Sequence, residues 1–149
     1  MRAVIQRVDR ASVKINNQEI SSINEGILVL LGVEKGDTRS NADYILDKSI
    51  NLRIFKDDQD KMNLSLLDVG GEMMVVSQFT LLGDCIKGRR PSFFQAEEPA
   101  LANSLYEYFL QQAAVKVKKI ACGKFQEMMK IELVNDGPIT MLLDSKKRF

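Results

Sequence analysis

The sequence predicts an α+β fold: short strands in mixed or antiparallel sheets, with two main helices packed outside them. Three observations carry that expectation. Ala11, Val13 and Ile15 alternate with polar residues at the strand period of two. Two uninterrupted apolar runs, "GILVLLGV" at 26–33 and "MMVV" at 73–76, suit buried strands. Two well-separated segments carry helical apolar spacing behind capping residues. The chain has 149 residues and reads as one domain spanning 1–149. A domain of that size buries roughly 68–70% of its unfolded surface and needs no staples.

Taken in order, the apolar-rich residues 2–8 and the alternation of Ala11, Val13 and Ile15 predict strand, and Asn16-Asn17 a hairpin turn, because Asn tolerates left-handed backbone angles. Ile20 to Ile23 is the return strand and 26–33 a central one. Asp37, Thr38 and Ser40 offer helix-cap oxygens, and Ala42, Ile45, Leu46 and Ile50 form an apolar stripe behind them. "KDDQDKMN" at 56–63 predicts a solvated hairpin tip; its Asp cluster lacks the spacing, glycine and terminal Glu of a calcium loop. Gly70-Gly71 marks a turn. Residues 83–96 predict a long connection, and Pro99 the first turn of a second helix. That helix is expected to turn Leu101, Leu105, Tyr108, Phe109 and Gln112 inward. Val115 and Val117 predict a strand, Cys122-Gly123-Lys124 a turn, and Met129–Val134 and Ile139–Leu143 two more strands.

Composition narrows the function. A formal net charge of +1 argues against a strongly basic nucleic-acid binder. Cys85 and Cys122, neither in a CxxC, predict a reducing, cytoplasmic setting. No signal-peptide core or membrane-length apolar run is present, so no membrane partner is expected. The chain holds no histidine. That excludes an internal Ser-His-Asp or Cys-His triad and removes the commonest metal ligand. Any catalysis falls to backbone amides, hydroxyls, carboxylates, amines or a group on the substrate.

Four stretches can carry chemistry. Ser77-Gln78-Phe79-Thr80 follows the buried Val75-Val76 and is either a polar edge strand or a wall of donors for a developing oxyanion. Asn135-Asp136-Gly137-Pro138 is either a turn or a device that fixes backbone carbonyls in space. Lys87-Gly88-Arg89-Arg90-Pro91-Ser92-Phe93-Phe94 is either a solvated loop or a phosphate-meeting loop with a Phe that packs or stacks. The tail Lys146-Lys147-Arg148 is expected to fray.

Together these stretches resemble one family. "MRAVIQRV", "GILVLLGVEKGDT", "NLRIF", "KMNLSLLDVGGE", "VVSQFTL", "KGRRPSF" and "LVNDGPIT" are similar to D-aminoacyl-tRNA deacylase, from Met1 to about Ser145. "SQFTL" and "NDGPIT" are that family's two signature motifs, in order. The resemblance implies a homodimer of compact β-barrel-like subunits that hydrolyses the ester between a D-amino acid and the 3′-terminal adenosine of tRNA. It implies action on mischarged glycyl-tRNA too, with no cofactor and no metal. It implies that Ser77, Gln78, Phe79 and Thr80 line the reaction site. It also implies that Gly137-Pro138, joined by a cis bond, reaches across the dimer as a chirality filter. Arg7 would brace that turn, and Phe125 and Met129 would meet the terminal adenine.

Departures fall at the edges of the resemblance. "QEM" at 126–128 stands in place of a small, Gly-containing run, and Gly83, Cys85 and Ile86 in place of the more typical Ala, Thr and Arg. Two alternatives stay open. One is a relative with a trans Gly137–Pro138 bond that accepts L-residues. The other is a non-enzymatic nucleic-acid-binding protein on the same fold.

Overall fold

One long strand, β1 (Arg2–Ile15), is flanked along both sides. The computed structural model describes every residue from Met1 to Phe149. On one side of β1 lie β2 (Gln18–Ile23) and β3 (Gly26–Gly32), both antiparallel to it. β2 pairs with the second half of β1 and β3 with the first, so the two act as a single returning strand with a break at Asn24-Glu25. On the other side β8 (Lys130–Asp144) runs antiparallel along nearly its whole length. Helix α1 (Arg39–Asn51), the small hairpin β4 (Phe55–Lys56) and β5 (Met62–Leu64), and the four-residue helix α2 (Leu66–Val69) follow β3. Next come β6 (Glu72–Ser77), a 3-10 turn at Phe79–Leu82, helix α3 (Pro99–Lys116) and β7 (Ile120–Cys122). β6 pairs in parallel with β3 on one side and β7 on the other. The sheet order is β2-β1-β3-β6-β7, and the Ser21 hydroxyl donates to the Cys122 carbonyl at 2.8 Å, drawing its two ends together into a nearly closed barrel.

Alternation along the strands sorts their side chains into two cores. Ile27, Val29, Leu31, Met73 and Val75 face α1 and α3, joining Ala42, Ile45, Leu46, Ile50, Tyr106 and Phe109. Leu28, Met74 and Val76 face the barrel interior with Val8, Ala11, Val13, Ile23 and Ala121. Because β3 and β6 are buried on both faces, they read in sequence as unbroken apolar runs.

Several expectations are corrected. The two strands expected at Met129–Val134 and Ile139–Leu143 are one, β8. The strand expected over 2–8 and 11–15 is β1, with Asp9 and Arg10 exposed at its kink. Asn16 and Asn17 do form the hairpin turn, at φ of 50° and 63°. Thr38 caps α1, its N–H donating to Asn41 Oδ1 at 2.8 Å, whereas Asp37 caps nothing. Asp37 is buried, takes the α-ammonium of Met1 at 2.7 Å and accepts the Glu34 N–H at 2.7 Å. On α3 the inward face is Tyr106, Phe109 and Ala113, with Leu105 and Tyr108 half-buried and Leu101 exposed. The strand expected at Val115–Val117 is the last turn of α3 and its cap: Val115 is 83% exposed while Val117 is buried. Cys122 ends β7 instead of beginning a turn.

The register between β1 and β8 breaks once in a manner that matters for function. Gln6 pairs with Thr140 and Val8 with Asn135, so residues 136–139 bulge out opposite Arg7. Asn135 Nδ2 closes the bulge, donating to the Arg7 carbonyl at 2.7 Å and the Ile139 carbonyl at 3.1 Å. Gly137 sits at φ 101°, which L side chains rarely adopt, and an added Cβ would lie 2.5 Å from Arg7 Nη2. No peptide bond is cis, so Gly137–Pro138 is trans, correcting the cis bond that the resemblance implied. The trans form is the preferred X–Pro state by about 0.5–1 kcal/mol. The positive φ of Gly137 and the two Asn135 bonds close the bulge without a cis bond.

The tail does not fray as expected. Arg148 donates to Glu34 Oε1 at 3.1 Å and to Asp144 Oδ2 at 3.0 Å, and Lys146 Nζ pairs with Glu34 at 3.1 Å. Burial alone would push both carboxyls up. For Glu34, hydrogen bonds from Arg148 and Lys146 outweigh burial; for Asp144, bonds from the Lys146 N–H, Arg148 and Arg2 do so. Both acids are held below their ordinary values of 4.5 and 3.8. A depressed carboxylate adds stability above its unfolded pKa, and that stability is lost as pH falls through the folded value.

Stability should therefore drop as pH falls below about 4.5, and Arg148→Ala should make the drop shallower. Urea titrations from neutral pH to about pH 3 measure both; an unchanged slope in the variant would show that the clamp is not the source. Gly137→Ala should destabilise by about 1–3 kcal/mol, from backbone strain and displacement of Arg7. Equilibrium denaturation at neutral pH reads it, and a change under about 0.5 kcal/mol would show that the bulge adjusts freely.

Candidate active site

Parallel strands end together, and β3, β6 and β7 leave their carboxyl ends on one rim. A cavity of about 630 Å³ opens there. Leu31 and Val33 come from the end of β3, Val76 to Phe79 from the end of β6, and Phe125 to Met129 from the segment after β7. Ala102 and Tyr106 of α3 close one side. Crevices at the carboxyl ends of parallel strands are the usual ligand sites of such sheets.

The β6 end is held from three directions. Gln78 N–H donates to the Leu31 carbonyl at 2.8 Å. The Val75 carbonyl accepts both the Tyr106 hydroxyl at 2.8 Å and the Gly123 N–H at 3.1 Å. Burial pushes the Tyr106 hydroxyl above its ordinary range, so it stays a protonated donor. The backbone leaves strand geometry at Gln78 (φ −143°, ψ 79°) and tightens into the 3-10 turn. That turn buries Leu82 and leaves Phe79 58% exposed. Ser77–Thr80 is thus not an edge strand, since β6 is central and its polar end turns onto the cavity rim.

Of the residues singled out from sequence, Ser77, Gln78, Phe79, Phe125 and Met129 line this one cavity. Thr80 lies just outside, its hydroxyl accepting from Gln78 Nε2. The cavity is mostly apolar, and Phe125 lies 6.0 Å from the Tyr106 ring, suiting a flat aromatic ligand. Met129 is packed against Gly123, and its Sδ accepts the Lys124 N–H at 3.3 Å. Two carboxylates reach the lining, and both are occupied. Glu97 accepts the Gly36 N–H at 3.1 Å and the Glu98 N–H at 2.9 Å, and Glu127 pairs with Lys124 at 3.1 Å. Sequence reasoning missed Tyr106 and Glu97. For Tyr106 the signal was present, since it stands one helical turn before the buried Phe109. No cluster of His, Cys, Asp or Glu is arranged to hold a metal ion.

Arg7, Gly137 and Pro138 form a separate group on the β1–β8 bulge and do not line the cavity. The Arg7 side chain is almost fully buried. One guanidinium N–H bonds the Ile54 carbonyl, the group lies over the Phe55 ring, and Nε is 2.7 Å from Asp136 Oδ2. That last contact is close but badly aligned, so it is an ion pair and leaves the Nε–H without a true hydrogen bond. Gly137 and Pro138 themselves face outward.

Comparison with known proteins agrees with the fold. A family model described as D-Tyr-tRNA(Tyr) deacylase matches residues 4–144. D-aminoacyl-tRNA deacylase of Syntrophus aciditrophicus (strain SB) is 61% identical over 149 residues, covering 100% of both chains. D-aminoacyl-tRNA deacylase of Clostridioides difficile (strain 630) is 56% identical over 149 residues, again covering 100% of both. Among solved structures, the c-Myc DNA Unwinding Element Binding Protein superposes with a TM-score of 0.92 at 39% identity, covering 97% of this chain and 98% of that one. A probable eukaryotic D-amino acid tRNA deacylase superposes at 0.79 with 17% identity, covering 95% and 97%, and shares the fold. With its family model spanning nearly the whole chain and full-length relatives above half identity, this chain belongs to the D-Tyr-tRNA(Tyr) deacylase family.

Proposed function

We propose that the chain hydrolyses the ester linking a D-amino acid to the 3′-terminal adenosine of tRNA. The observation that carries the reading is the shared cavity of Ser77, Gln78, Phe79, Phe125 and Met129, in a chain 61% identical end to end to a D-aminoacyl-tRNA deacylase. An aminoacyl ester is already activated, and the ribose carries a vicinal hydroxyl beside the scissile carbonyl. Fixed donors that orient the ester and hold its developing oxyanion are then sufficient. That suits a chain without histidine whose two cavity carboxylates are already engaged. On this reading Phe125, Met129 and Tyr106 take the adenine, and backbone N–H groups near Phe79 and Thr80 hold the carbonyl oxygen. On this reading the protein works where aminoacyl-tRNA is used, in the cytoplasm.

Thr80 positions the substrate instead of attacking it. Its hydroxyl already accepts from Gln78 and has no neighbouring base to activate it. Stereoselectivity comes from a rigid backbone: the carbonyls of Gly137 and Pro138 hold the α-amino group and crowd the side-chain position of an L-residue. Glycine has no side chain there, so glycyl-tRNA is cleaved as well. The bulge does not line its own chain's cavity, so the reading requires a homodimer in which each bulge completes the partner's site. The long β8 supports this, because only β1 pairs with it and its outer edge is open, with Leu133 and Leu142 exposed.

The trans Gly137–Pro138 bond by itself favours the relative that accepts L-residues. Full-length identity of 61% and 56% to D-aminoacyl-tRNA deacylases favours the D-specific reading and outweighs the bond geometry. DNA binding is the property of one solved neighbour at 39% identity, and a hydrolysis assay separates that reading from an enzyme.

Purified protein should cleave D-tyrosyl-tRNA and glycyl-tRNA about 100-fold or more faster than L-tyrosyl-tRNA. Equal D and L rates would refute the filter, and no cleavage of any of the three would refute the enzyme. Thr80→Ala should keep kcat/KM on D-tyrosyl-tRNA within about tenfold of wild type. A near-total loss with tRNA binding intact would make Thr80 a nucleophile.

A further inference from the structure

The connection between the 3-10 turn and α3 is absorbed by neither the fold nor the cavity chemistry. Its base is a two-residue bridge, with Asp84 N–H to the Ser92 carbonyl at 2.7 Å and Ser92 N–H to the Asp84 carbonyl at 2.9 Å. Beyond that bridge Lys87, Arg89 and Arg90 are exposed, and none makes an ion pair or a side-chain hydrogen bond. Asp84, the nearest acid in sequence, spends its carboxylate on the Ile86 N–H at 2.9 Å. The chain then returns toward the cavity. Phe93 packs edge-on against Phe79, a cavity residue, with centroids 5.1 Å apart and planes at 69°. Lys35 N–H donates to the Gln95 carbonyl at 2.9 Å, and Ala96 and Glu97 line the cavity.

Phe94 is the anomaly in this segment. It is 79% exposed, although its neighbour Phe93 is packed. Lys35 Nζ lies over one face of its ring, 4.0 Å from the centroid, which orients the ring and leaves the other face to solvent. An oriented, solvent-facing aromatic on the same connection as unpaired cations, leading into a cavity, is the pattern of a single-stranded nucleic-acid platform. Aromatic faces take bases irrespective of sequence, and cations follow the backbone.

We propose that Phe94, backed by Lys35, stacks a base of the single-stranded nucleotides immediately 5′ of the terminal adenosine, while Lys87, Arg89 and Arg90 meet their phosphates. The inference rests on the aminoacyl-tRNA reading and adds the part of the substrate that the cavity does not reach. It assigns the cavity to the terminal nucleoside and the 84–94 connection to the strand leading into it. A substrate cut back to the terminal nucleoside loses this surface and keeps the cavity.

The test compares D-tyrosyl-tRNA with the 3′-D-tyrosyl ester of adenosine, for wild type, Phe94→Ala, and Lys87→Ala/Arg89→Ala/Arg90→Ala. Binding of an uncharged RNA ending in CCA is measured separately by fluorescence anisotropy. Phe94→Ala should lower kcat/KM on the tRNA by about tenfold, mainly through KM, with the loss confined to the substrate carrying the upstream nucleotides. The triple variant should flatten the log–log salt dependence of RNA binding by up to about 2. An equal loss on both esters, or no loss on the tRNA, would overturn the platform while leaving the hydrolase reading intact. If wild type cleaves neither ester yet binds the RNA through Phe94, the hydrolase reading fails and the platform stands.

Discussion

The parallel pairing of β6 with β3 and β7 is the constraint on which the rest of the molecule depends. Parallel neighbours cannot be joined by a tight turn, so each pairing demands a crossover. The first crossover supplies α1 and the small hairpin, and the second supplies the 84–94 connection and α3. Those crossovers cover the outer face of the sheet, while β1, β2 and β8 curl round to cover the inner one. Both faces of β6 are then dry, and its four central residues, Met73 to Val76, are fully buried. A strand so enclosed has little freedom to shift. Its first exposed residues, Phe79 and Thr80, are delivered to a fixed place on the rim.

A second, smaller constraint sets the other group of candidate residues. Arg7 is an almost fully buried cation on a sheet. A buried charge left unpaired is costly, so the fold has to bring acceptors to it. The Ile54 carbonyl and the Asp136 carboxylate do so, and bringing Asp136 requires β8 to leave its register. Once the strand bulges there, the next residue must turn back within the reach of Asn135, and Gly137 at φ 101° achieves it. The misaligned Arg7 Nε–H is the residual cost of satisfying a branched cation from a short loop. Arg7 is thus tied by an ion pair to Asp136, the residue before Gly137, to which the sequence had assigned only a turn role.

What was legible in the sequence tracks how local each signal is. Buried parallel strands announce themselves as apolar runs, and the Asn16-Asn17 turn and Pro99 helix start follow from backbone chemistry within a few residues. Misreadings occur where distant contacts decide. Val115 looks like a strand residue because it is β-branched, but α3 packs through Phe109 and Ala113 and carries Val115 past them on the exposed side. The inner face of α3 was read through Leu101, Leu105, Tyr108, Phe109 and Gln112; Phe109 is at its buried centre, but Tyr106 and Ala113 complete that face and Leu101 is exposed. The tail looked solvated because nothing in "KKR" reveals that Glu34 and Asp144 wait for it. At the site, Ser77, Gln78 and Phe79 and the Phe125–Met129 segment line one cavity while Thr80 lies just outside it, and Tyr106 entered only through its bond to Val75.

The chemistry of the cavity is set as much by what its polar groups are already doing as by which groups they are. Glu97 and Glu127 look like candidate bases by position, yet one is held by two backbone amides and the other by Lys124. The Tyr106 proton is committed to the Val75 carbonyl, and the Thr80 hydroxyl is engaged by Gln78. A group committed to the scaffold orients well and abstracts protons badly, because using it means first breaking the contact that positions it. These four groups are therefore better placed to hold a substrate than to attack it. On the proposed reading they serve a substrate with an activated bond and a nucleophile or relay of its own nearby. An aminoacyl ester on a ribose with a neighbouring hydroxyl meets both conditions, and an unactivated peptide amide meets neither.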